Sequence, residues 1–83
     1  TNPKSYLQEC VQADHLEAPS YKLVDTSGPA HEPVFTAVAL VDGIRRGRGS
    51  GSSKKEAEAA AALDALNRMG YTHNGVILKK KLG

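Results

Sequence analysis

The stretch Gly49-Ser50-Gly51-Ser52-Ser53-Lys54-Lys55-Glu56-Ala57, running into an alanine-rich segment that ends at Met69, constrains the fold of this chain more than any other. Small residues come first, as a backbone requires when it must approach another surface closely. Ser52 or Ser53 then offers a hydroxyl to cap the first helical turn. At about 100° per residue, Ala57, Ala61, Ala62, Ala65, Leu66 and Met69 collect on one side of the helix, whereas Glu56, Ala60, Leu63, Asp64 and Asn67 lie elsewhere. A stripe built of alanines predicts close packing on a sheet, and Gly70 suits the position just past the helix end.

Lys54 and Lys55 are the anomaly. They fall in the first turn, where the helix dipole already carries positive charge and favours anions. Two readings fit them: solvated lysines at an exposed helix end, or positive potential concentrated beside outward-pointing amides to meet a phosphate backbone.

Eighty-three residues make one domain with a small core, too short for a second domain or a buried catalytic cavity. No apolar run is long enough to span a membrane and no signal-peptide pattern opens the chain, so a membrane partner is not expected. The chain begins with Thr1, which suggests a piece of something longer. Its net charge of +2 announces no polyanion by itself, but the cations cluster at Arg45, Arg46, Arg48, Lys54 and Lys55 and again at Lys79 to Lys81. The single Cys10 excludes an internal disulfide and fits a reducing, intracellular setting such as the cytoplasm.

From the start, Asn2 and Pro3 read as the cap and first residue of a helix that stops near Ala13 or Asp14. Leu7, Cys10 and Val11 form its apolar side. Ser5, Gln8, Glu9 and Gln12 share another narrow face, which is either ordinary solvated surface or a set of hydrogen-bonding groups suited to ribose hydroxyls. Pro19 enforces extended backbone, and Ser20 to Thr26 reads as a strand. Ser27 to Pro33 is a loop stiffened by two prolines. His31 near its middle is either solvent-exposed or a hydrogen-bonding tip that enters a shallow groove.

Val34 to Val41 alternates, placing Phe35, Ala37, Ala39 and Val41 toward the helices and Thr36, Val38 and Leu40 on the outer face. Asp42-Gly43 is a hairpin turn, returning the chain as a third strand from Ile44 to about Gly49, with Gly47 marking a bulge or edge. The expected fold is α+β, a two-layer α-β-β-β-α domain over residues 1–70 with both helices on one face of a three-stranded antiparallel sheet. Residues 71–83 are expected to form a mobile basic tail, with a short strand at Val76 to Leu78 as the alternative. His15, His31, His73 and Cys10 show no metal-ligand spacing, and no cofactor or small-molecule substrate is expected.

These residues resemble the double-stranded-RNA-binding domain family from Pro3 to about Met69. The likeness is carried by Pro3-Lys4-Ser5-Tyr6-Leu7-Gln8-Glu9, Pro19-Ser20-Tyr21, Gly28-Pro29-Ala30-His31 with Phe35, the Gly49–Ala57 stretch, and the Ala61-Ala62 and Ala65-Leu66 pairs. The resemblance implies the same fold and a double-stranded RNA partner. Ser5, Gln8 and Glu9 would face one minor groove, Gly28, Pro29 and His31 the next, and Lys54 and Lys55 the phosphates between. Many members carry a lysine where this chain has Glu58, which is close enough in angle to Lys54 to neutralise it in part or to orient it.

Within the family the segments most resemble the C-terminal domain of ribonuclease III. The acids that hold magnesium in that enzyme belong to a separate domain, so this stretch implies binding without a catalytic site of its own. A domain of a non-nuclease RNA regulator fits the same residues. So does a protein-interaction or dimerisation module using Val38 and Leu40 on the outer sheet face.

Overall fold

A computed structural model describes residues 2–73 and 76–77, with side chains described for residues 2–71. Helix α1 (Pro3–Ala13) starts where Asn2 accepts a 2.9 Å hydrogen bond from the Lys4 amide. Strands β1 (Ser20–Ser27), β2 (Val34–Val41) and β3 (Ile44–Gly51) form an antiparallel sheet in that order, and helix α2 (Lys54–Arg68) follows. The α-β-β-β-α order and the helical face of the sheet agree with expectation. The third strand runs on to Gly51, beyond the expected Gly49.

Local chemistry explains the joints. Asp42 and Gly43 both take left-handed backbone, φ 52° and 77°, matching the twist of the hairpin they close. Each helix ends in the same motif. The amide of Leu16 donates to the Val11 carbonyl at 2.9 Å and that of His15 to Gln12 at 3.0 Å; Tyr71 and Gly70 repeat the pattern onto Leu66 and Asn67 at 2.7 and 3.1 Å. His15, at φ 67°, fills the left-handed position that Gly70 occupies after α2.

The core lies between α1, α2 and the inner sheet face, built of Leu7, Cys10, Val11, Ala37, Ala39, Val41 and the α2 stripe. Over β3 the two layers are in backbone contact. A Cβ added at Gly47 would lie 2.3 Å from the Ala61 carbonyl oxygen, and one at Gly49 would lie 2.4 Å from the Ala61 nitrogen. The inward positions of β3 therefore carry no side chains, and the alanines of α2 rest directly on the strand.

Two expectations need correction. Val38 is not an exposed outer residue: only 1% of it is accessible. In the central strand it is paired across the ladder with Lys22 and Arg48, residues whose long aliphatic stems suit covering an apolar neighbour. Leu40 is half-buried, so these two residues expose less apolar surface than the self-association reading assumed. Tyr71, assigned to the mobile tail, is also core, 3% exposed, and its hydroxyl donates to Asp14 Oδ2. The motif ending α2 turns the residue after Gly70 back onto Leu66, which is why the packed chain continues past Gly70. Beyond it β4 (Thr72–His73) pairs with β5 (Val76–Ile77); Leu78 and Lys79 to Lys81 lie outside the described residues.

Candidate nucleic-acid interface

The start of α2 is held by its own first turn. Ser53 Oγ accepts the Glu56 amide at 3.1 Å, while Glu56 Oε1 accepts the Ser52 amide at 3.1 Å and the Ser52 hydroxyl at 2.7 Å. Those bonds to Ser52 hold the Glu56 carboxyl below the usual glutamate range. A carboxylate thus does occupy the first turn, complementing the helix dipole and offsetting the cost of the two lysines beside it. Lys54 and Lys55 are exposed, and neither forms an ion pair among the described residues.

Lys55 shares a shallow groove of about 660 Å³ with Ser5 and Gln8 of α1. Two of the sequence-predicted groups are therefore neighbours on one surface. Gln8 Nε2 reaches Gln12 Oε1 at 3.5 Å, aligning the polar side chains along the helix. Glu9 is exposed on α1 but does not line this groove.

The groove wall contains a contact that sequence reasoning missed. Lys4 Nζ lies 2.5 Å from Glu58 Oε1 and 4.8 Å from the centre of the Tyr21 ring. Glu58 therefore partners α1 rather than Lys54, correcting the expected pairing within α2. Burial, and then the Glu58 charge, push the Tyr21 phenol up to about 12. Its oxygen is buried and has no hydrogen-bond partner among the described residues.

The β1–β2 loop supplies the third group. Gly28 adopts φ +84°, and a Cβ there would come within 2.7 Å of the Glu32 carbonyl oxygen. The Glu32 amide closes a turn onto the Pro29 carbonyl at 2.9 Å, which leaves exposed His31 at the tip. Gly28 and Pro29 line a second shallow depression, of about 500 Å³, with Ser50, Gly51 and Ser52. These last three lead into α2, so the loop and the helix start occupy the same end of the sheet. Thr36 and Ser50 brace that end through hydroxyls 2.9 Å apart.

The acids that could have formed a catalytic cluster are dispersed. Glu56 faces Ser52, Glu58 faces Lys4 and Asp64 faces Arg68. Among the described residues, no three His, Cys, Asp or Glu side chains converge to hold a metal ion.

A curated Ribonuclease 3 of Geobacter metallireducens is 47% identical over 72 residues, covering 87% of this chain and 29% of that protein. The Ribonuclease 3 of Geobacter sulfurreducens is 52% identical over 66 residues, covering 80% and 27%. The chain thus spans less than a third of these relatives. A structure of Arabidopsis HYL1, studied for miRNA processing, superposes with a TM-score of 0.67 at 36% identity, covering 81% of this chain and 94% of that one. A solution structure of both double-stranded-RNA-binding domains of DRB4 gives 0.63 at 33% identity, covering 86% and 46%. The family profile described as double-stranded RNA binding motif matches residues 3–69, most of the packed domain, and the chain belongs to that family.

Proposed function

We infer that this domain binds double-stranded RNA by shape, as the substrate-holding part of a ribonuclease III-type RNA-processing enzyme. The observation that carries the reading is the placement of Ser5 and Gln8 in one groove with Lys55, while Gly28 and Pro29 flank the residues that lead into α2. A-form RNA presents 2′-hydroxyls across a wide, shallow minor groove and phosphates along the narrow major groove between successive minor grooves. Uncharged donors and acceptors on α1 suit the first. A prolyl loop tipped by His31 suits the next minor groove, and Lys54 with Lys55 suits the phosphates between them. The ribonuclease III context is supported by the identity to the two Geobacter relatives.

The test is a fluorescence-anisotropy titration with a duplex RNA of about 20 base pairs, longer than the family footprint of roughly 16, beside the DNA duplex of matching sequence. The expected result is salt-sensitive RNA binding and distinctly weaker DNA binding. Lys54→Ala with Lys55→Ala should flatten the salt dependence by about 0.7–0.9 log units for each phosphate that these lysines neutralise. Gln8→Ala should chiefly erode the preference for RNA. A lysine double variant that binds like wild type at every salt concentration would refute this docking.

A further inference from the structure

Four arginines outside the proposed RNA-facing surface are gathered toward the opposite end of α2. Arg45, Arg46 and Arg48 of β3 and Arg68 of the last α2 turn line one shallow groove of about 160 Å³. Only one acid, Asp64, joins them. Four guanidinium charges against one carboxylate leave a local surplus of three, larger than the +2 of the whole chain.

The backbone arranges this concentration. The β2–β3 register shifts between Ala39, which pairs with Gly47, and Leu40, which pairs with Arg45, so Arg46 is an extra residue. Strict alternation would put Arg45 on the inner side with Gly47 and Gly49, against α2. The bulge instead brings Arg45 to the outer face with Arg48. Asp64 Oδ2 accepts the Arg48 amide at 2.9 Å and Arg68 Nε at 2.9 Å, so the only acid in the groove is already engaged. That bond also covers a free amide of the edge strand, so the extra arginines are not needed to block strand addition there. Arg68 comes from the helix and is 71% exposed.

We propose that this arginine groove binds the phosphate backbone of a second RNA duplex, so that one domain can hold two helical segments together. Guanidinium groups bind phosphate oxygens in a two-pronged geometry, and an arc of them suits a repeating anionic strand. Lys54 and Arg68 sit at the two ends of α2, about 21 Å apart. Arg45 lies at the hairpin end of β3, whereas Gly51 lies beside the β1–β2 loop. A straight duplex seated on the helix start and that loop leaves the arginine corner open to another.

The proposal rests on the duplex-RNA reading, and its test separates the two. Two populations of one RNA duplex, labelled with energy-transfer donor and acceptor, are mixed with the intact chain at excess RNA, and single-duplex affinity is measured in parallel. Wild type is expected to bring donor and acceptor together. Arg45→Gln with Arg48→Gln should reduce that signal by about tenfold, as removing one or two charge-assisted hydrogen bonds to phosphate would, and leave single-duplex affinity within about twofold. A matching thermal melt confirms that the variant is folded.

Wild type that binds one duplex but never brings two together overturns the groove assignment and leaves the RNA reading intact. Undiminished transfer in the variant also overturns it. Binding of poly-L-glutamate through the same arginines, without bridging, would give the groove to an acidic protein surface instead. Absence of any duplex binding would remove both readings.

Discussion

Lys4 of α1 and Glu58 of α2, 54 positions apart in sequence, meet at 2.5 Å beside the Tyr21 ring. The contact joins the helix that carries Ser5 and Gln8 to the helix whose first turn carries Lys54 and Lys55. Glu58, which looked like a local neutraliser of Lys54, is a tie between the two halves of the surface.

A double-mutant cycle measures that tie. Lys4→Met and Glu58→Gln should each destabilise the fold modestly, with a coupling of about 0.5–1 kcal/mol by urea denaturation, since both side chains are partly exposed. Additive effects would show that the pair contributes nothing beyond proximity.

The bare face of β3 predicts a sharp difference between glycines. Gly49→Ala drives a methyl group to 2.4 Å from the Ala60 carbonyl carbon, which is backbone and cannot rotate away. It should cost about 3 kcal/mol or more, seen as a lower denaturation midpoint. At Gly43 a Cβ meets nothing within 4 Å, and the cost of Gly43→Ala is that of left-handed backbone, about 1 kcal/mol.

Acidification should act through Glu56. Its carboxyl is lowered in the folded state by the two Ser52 bonds, so the stabilisation it provides is complete above the unfolded-state value. It is lost as pH falls through the lowered folded value. Stability curves of wild type and Glu56→Gln are therefore expected to separate at neutral pH and converge in acid; a constant gap would contradict the role given to the Ser52 bonds.

His15 offers a stabilising change. It holds φ 67° at the position where α2 uses Gly70. His15→Gly should raise stability by about 0.5–1 kcal/mol, with RNA affinity unchanged because His15 lies outside the proposed interface.

Much of this was legible because it depends on neighbours in sequence. The Asn2 and Ser53 caps, the Asp42-Gly43 hairpin, the alanine stripe and the glycine past α2 follow rules that act over a few residues. Other features depend on partners brought together only by the fold. Val38 alternates like an outward residue and is buried because Lys22 and Arg48 flank it across the ladder. Glu58 sits one turn from Lys54, yet its partner comes from the other helix. Tyr71 carried a usable signal: a glycine ending a helix in this motif commits the next residue to pack back, and that would have moved the domain boundary. For the proposed site, the sequence and the family resemblance supply only candidate groups, and the groove shared by Lys55, Ser5 and Gln8 emerges only when the helices are laid side by side.

Because α2 rests on strand backbone, nothing soft separates the helix start from the sheet that bears the β1–β2 loop. Side-chain layers yield by changing rotamers; stacked main chains do not. The distance between the loop and the lysines is thus graduated by peptide geometry, as on a fixed gauge, and substitutions in the remaining core have little leverage over it. Retuning it would require changing the length of Ser27–Pro33 or of Ser52–Ser53. On the proposed docking, tolerance for differently shaped nucleic-acid helices would rest with the two connecting loops.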